Sequence, residues 1–208
     1  MIEILALAVV LNTVSESFRN QQNGETDLVW AAETFCFAAD GNMARTWDRA
    51  EAEGYQMLRP SDFPNLRLPG ARNLRGYSKR IGRVEMRILT AETRFDGFNQ
   101  GLNFFRMCWV SAEPADRSQI DQELSRSLGV SRFRQEDAYV YAWANAEDGS
   151  RREMRRREFM ARGLRDALAE DMRFVLTNDR FGVVSITYMV PIEGFSEPRL
   201  TGSLGGQG

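Results

Sequence analysis

The chain predicts a single α+β domain in which one antiparallel sheet of five to six strands packs against about four helices. Its strand-like segments fall into hairpin-compatible groups rather than alternating strictly with helices, which favours antiparallel pairing. Its helical segments repeat their apolar residues every three or four positions. The composition, 43% hydrophobic and 27% charged over 208 residues, is that of a chain able to bury an ordinary core.

From the N-terminus, residues 1–26 read as a signal segment followed by a polar linker, residues 27–194 as one α+β domain, and residues 195–208 as a flexible tail. The first helix begins at Asp27, with Leu28, Ala31, Ala32, Phe35 and Ala39 on one side, and Asp40-Gly41 breaks it. A second helix runs from about Asn42 to Gly54, with Met43, Trp47 and Ala50 turned inward. Pro60, Pro64, Pro69 and Gly70 make the stretch from Tyr55 to Ala71 an extended loop.

The period then changes. A short strand at Leu74–Lys79 precedes Arg83–Arg94, where Val84, Met86 and Ile88 alternate with polar residues as in a half-buried antiparallel strand. After the Asp96-Gly97 turn, Leu102–Ala112 is apolar on both faces and belongs at the centre of the sheet. Pro114 and Asp116 open a third helix with Ile120, Leu124 and Leu128 inward and Gly129 as its stop. Ala138–Ala144 is a further strand. A fourth helix, about Arg155 to Glu170, carries Met160, Leu164, Ala167 and Leu168 as its expected buried stripe. Arg173–Thr177 and Val183–Val190 close the domain as a hairpin.

Composition also narrows the chemistry. There is no histidine. Imidazole-activated nucleophiles and the common zinc ligand sets are therefore absent, and general acid–base work would fall to carboxylates, Lys79 or a tyrosine. Lys79 is the single lysine, so 26 of the 27 basic residues are arginine. That bias fits GC-rich coding in a bacterial-type chain. A net charge of −2 argues against a surface that attracts polyanions everywhere, and nucleic acid is an unexpected partner. Gly97 and Gly101 lack the residues of a phosphate-binding loop, and no cofactor motif is found.

Two features bear on compartment. Ile4–Leu11 is an unbroken apolar run, far short of the roughly 20 residues of a transmembrane helix but right for the apolar region of a secretory signal. Glu3 stands where basic residues are expected, and Thr13-Val14-Ser15 is the best available substitute for a small-residue cleavage site. A buried first helix or strand is the alternative. Cys36 and Cys108 both lie in apolar surroundings, either as free core thiols or as one disulfide. Spanning 72 residues, such a bridge would stabilise the fold by roughly 4 kcal/mol through chain entropy. Two distant cysteines without histidine do not make a metal site.

The most distinctive surface feature is the arginine cluster Arg151, Arg152, Arg155, Arg156 and Arg157, interrupted by Glu153 and Met154. Guanidinium groups at this density can bind phosphate. Glu153 with Arg157, Glu158 with Arg162, and Arg162 with Asp166 also match the spacing of a solvated helix face. Glu92, Asp96, Glu113 and Asp116 flank strand ends, where turn solvation and capping account for them more simply than paired-carboxylate catalysis. Phe95, Phe98, Phe104 and Phe105, and the alternating Tyr139, Tyr141 and Trp143, are core by default or an apolar patch if one sheet face is bare.

The functional expectation is an exported, periplasmic or secreted, non-enzymatic domain that binds a protein partner or envelope component. Two alternatives stand beside it: a hydrolase or lyase using carboxylates and arginine, and an anion-binding module built on the arginine cluster.

Overall fold

A computed structural model describes residues 27–194 apart from 60–61, 63–67, 69–70, 97–101 and 181. The expected signal segment and linker at 1–26, the tail at 195–208, and Phe98, Gly97 and Gly101 lie outside the described residues.

Helix α1 (Asp27–Ala31) passes directly into a π-helical turn (Ala32–Phe37). Leu28, Ala31, Ala32, Phe35 and Cys36 form its buried side. The chain then reverses through Asp40 and Gly41, both at positive φ. At Gly41 a Cβ would come within 3.1 Å of the Val190 side chain, so glycine suits both the dihedral and the close approach. Helix α2 (Met43–Ala52) is capped by the Asn42 side chain, which accepts from the Arg45 N–H. Its buried residues are Thr46 and Ala50, and Trp47 reaches half-buried to the sheet to donate to Thr90 Oγ1 at 2.7 Å.

Among the described residues nine strands form one antiparallel sheet: β1 (Gln56–Met57), β2 (Arg72–Ile81), β3 (Val84–Asp96), β4 (Leu102–Glu113), β5 (Phe133–Gln135), β6 (Ala138–Asn145), β7 (Arg151–Glu153), β8 (Met172–Arg180) and β9 (Val183–Pro191). Their order is β1-β2-β3-β4-β9-β8-β6-β5, with β7 also paired to β6. The expected five to six strands are the long ones. The other three, β1, β5 and β7, are two or three residues each, too short to show a period in sequence.

Strand β4 sits mid-sheet as its composition requires. Cys108 and Val110 join one core layer, and Phe105 the other. On the first face, α1 lies across β4 and β9, and helix α3 (Arg117–Leu128) packs against α1 and β8. Ile120, Leu124 and Leu128 point inward there as expected; the Asp116 side chain accepts from the Ser118 N–H at 2.8 Å, and Gly129 ends the helix at φ 67°. The disulfide Cys36–Cys108 ties this helical layer to β4, with a Cα–Cα distance of 5.5 Å.

The second face is covered differently. Helix α4 (Arg156–Glu158) runs into a second π-helical turn (Phe159–Gly163), and turns continue to Asp171. Phe159, Leu164 and Ala167 pack on Phe105, Ala142, Met172 and Phe174. The expected stripe is corrected here. Leu168 is 52% exposed and Met160 is half-buried, while Phe159 is fully buried. A π turn takes more residues per revolution than an α turn, so it rotates the following residues out of the 3.6-residue stripe. Among the described residues no helix is long and apolar enough to cross a membrane.

Candidate functional site

The structure divides the arginine cluster in two. Arg151 and Arg152 lie on edge strand β7, paired to β6 through Ala144↔Arg152 and Asn145↔Arg151. Arg151 Nη1 donates to the Leu128 carbonyl at the end of α3, at 2.6 Å, and its guanidinium lies 4.9 Å over the Trp143 ring. Arg152 donates to Glu158 and Glu170, each at 2.7 Å, which holds β7 against the α4 segment. The hydrogen bond to Glu158 foremost raises the Arg152 pKa. Glu153 accepts from the Ser131 N–H, and Met154 is buried beneath Gly163. Arg155, Arg156 and Arg157 differ. All three are exposed, and no carboxylate pairs with them among the described residues. The cluster is thus two structural arginines followed by three that face water.

Two further charged networks hold α1 and α3 to the sheet, and sequence reasoning passed over both. Asp121, 1% exposed on α3, receives Arg132 Nη1 at 3.0 Å and Thr177 Oγ1 at 2.8 Å. Arg117 Nε stands 3.5 Å from the same carboxylate without hydrogen-bond geometry, and its Nη2 reaches the Thr177 carbonyl. The Arg117 and Arg132 guanidinium groups lie 4.7 and 4.3 Å from the Tyr139 ring. Tyr141 donates to the Asp121 backbone carbonyl, and burial pushes its pKa up. A signal existed: Arg117 and Asp121 are four apart, and Asp121 adjoins the buried Ile120 stripe.

The second network is centred on Arg173 of β8, whose side chain is 8% exposed. It grips Asp40 with two bonds, Nε to Oδ1 at 2.7 Å and Nη2 to Oδ2 at 2.9 Å, and reaches Asp171 at 2.6 Å. Tyr188 donates to Asp40 Oδ1 at 2.6 Å while its ring stacks on Trp143. The Arg173 hydrogen bond holds Asp40 below the usual carboxylate range, against the opposing effect of burial. For Asp171, burial pulls upward but the bonds from Asn145 and Arg173 prevail and lower it. Burial and then the Asp40 hydrogen bond push the Tyr188 phenol well above its ordinary value. Arg173 could have been noticed as a cation in a strand whose neighbours are apolar on both sides.

The flanking carboxylates do not converge. Register places Asp96 opposite Leu102 and Glu113 opposite Glu85, at opposite ends of the β3–β4 hairpin. Asp116 caps α3, and Glu92 accepts from Asn73 and Arg106. The aromatic residues are largely covered: Phe105, Tyr141 and Trp143 are buried, and Phe95, Phe104 and Tyr139 are half-buried. Among the described residues no group of three or more cysteines and carboxylates is placed to hold a metal ion. Among the described residues, the guanidinium groups of Arg155, Arg156 and Arg157 form an open run of three, which suits anionic oxygens. No protein-family model, curated protein or solved structure matches this chain.

Proposed function

We propose that this chain is a periplasmic or secreted binding domain that acts through its surface, on a protein partner or envelope component, and not by catalysis. The observation that carries this reading is the Cys36–Cys108 disulfide, buried between the π-helical turn after α1 and the central strand. Such bridges form and persist in oxidising compartments, whereas cytosolic thiols are kept reduced. Both sulfurs lie in the core, so reduction requires the helical layer to open first.

The carboxylates support the non-catalytic part. A carboxyl serving as general acid near neutrality needs a raised pKa. Asp40 and Asp171, the two that share a partner, are shifted the other way. Asp121 already accepts from Arg132 and Thr177.

Intact-mass measurement of the native protein tests the compartment. After export in a bacterial host, alkylation without reduction should add nothing, and alkylation after reduction should add two groups. Recovery of the protein in the cytosol, with its N-terminus intact and both thiols free, would overturn the reading.

A further inference from the structure

The outer side of the α4 segment carries a pattern that its structural role does not use. Arg157, Ala161, Arg165 and Leu168 lie on the solvent side of the segment that runs from α4 through the π turn into the turns ending at Asp171. All four are exposed, opposite the buried Phe159, Leu164 and Ala167. Arg155 and Arg156 extend the stripe at its start. Among the described residues Arg165 pairs with Asp166 at 3.3 Å, and Arg155, Arg156 and Arg157 pair with no carboxylate. The acidic residues of this region are engaged elsewhere: Glu153 with a backbone N–H, and Glu158 and Glu170 with Arg152.

A solvated helix face explains arginine at such positions but gives no reason for Leu168, 52% exposed in line with them. Basic residues beside an exposed aliphatic side chain are what a segment needs to lie on an anionic bilayer, with cations among the headgroups and the apolar residue below them. A soluble polyanion would use the charges but not the leucine. Nucleic acid would call for stacking aromatics, which the stripe lacks.

We propose that the stripe Arg155–Arg156–Arg157–Arg165–Leu168 docks the domain on an anionic phospholipid surface. This gives the envelope component of the proposed function a chemical identity and rests on that reading for its biological setting. The lipid contact itself can fail while the disulfide stands, so the two are tested separately.

The disulfide-bonded full chain is sedimented with vesicles of phosphatidylglycerol and phosphatidylcholine, or of phosphatidylcholine alone. Binding is expected to the anionic vesicles only and to weaken as salt rises. The variant R155E/R156E/R157E should lose on the order of 100-fold in partitioning, each arginine near the surface being worth about five-fold. L168S should lose about ten-fold. R80E/R83E, which reverses two exposed arginines at the opposite edge of the sheet, should leave binding within about two-fold and so controls for overall charge. All these positions are exposed, and an unchanged unfolding midpoint checks each fold. Absence of binding at low salt, binding that survives the triple reversal, or equal damage from R80E/R83E overturns the proposal. Capture by inorganic polyphosphate as strong as by vesicles, with L168S unaffected, overturns it in favour of a soluble anion.

Discussion

The two networks on β8 are opposites in charge. Thr177 and Arg173 lie four residues apart on the same strand and face, about 13 Å along it. At the Thr177 end the buried member is an anion, Asp121, and its arginines Arg117 and Arg132 are part-exposed. At the Arg173 end the buried member is the cation, while Asp40 and Asp171 are 51% and 59% exposed. Both fasten the helical layer to the sheet. They differ in what is stranded when the partners are removed: a carboxylate at 1% exposure at one end, a guanidinium that keeps a backbone carbonyl at the other.

The largest effect is expected at the Asp121 end. R117M/R132M leaves a buried carboxylate with Thr177 alone, and should cost about 3–5 kcal/mol at neutral pH. Urea unfolding at neutral pH measures it, and a loss under about 1 kcal/mol would mean that the ion pairs contribute no more than surface pairs do.

At the Arg173 end, D40A/D171A should cost less, about 2–3 kcal/mol, since the Met172 carbonyl still accepts from Arg173. Because the wild type itself loses the Asp40 and Asp171 contributions in acid, that cost should narrow as the pH falls through their lowered range. A cost at neutral pH above that of R117M/R132M would reverse the expected ranking of the two ends.

The wild-type pH profile gives the smallest signal. Asp40 and Asp171 are lowered in the fold, so their contribution is present above the unfolded value, about 4, and is lost as pH falls through the lowered ones. Tyr188 is raised, so its contribution is complete below its unfolded value, about 10, and is lost as pH rises further. D40N should therefore flatten the acid limb of the stability profile. Y188F should flatten the alkaline limb, at a cost of about 1 kcal/mol near neutrality. Thermal unfolding across pH separates the two, and identical profiles for the two variants would contradict the assignment.

Much of the fold was legible wherever a pattern ran long enough to average. Leu102–Ala112 reads as a central strand because both its faces are apolar, and Asp116 and Gly129 bracket α3 with side-chain chemistry that acts locally. Strands β1, β5 and β7 were not legible, because two or three residues carry no period. The helix expected over about Arg155–Glu170 is helical only over 156–163, and its stripe was misread. Within the π turn Phe159–Gly163, Phe159 packs on Phe174, a tertiary contact that local periodicity does not report. Of the candidate site, the arginine run and the cysteine pair were visible as composition. The division of the run was not, because only tertiary contact brings Leu128, Glu158 and Glu170 to Arg151 and Arg152.

The pairing of β4 with β9 sets an order of assembly. Strands β1 to β4 and strands β8 and β9 are each joined by neighbour-to-neighbour pairing, yet the halves meet only when Ala112 finds Val184 and Phe105 finds Pro191. A chain emerging from its N-terminus therefore carries β4 as an open edge until nearly all of the domain has been made. Throughout that interval it is exposed to wrong partners. Cys36 and Cys108 are both available long before β9. Oxidation at that stage would fix α1 over β4 while the strand still lacks its final neighbour, a covalent guard on the half of the sheet that waits longest.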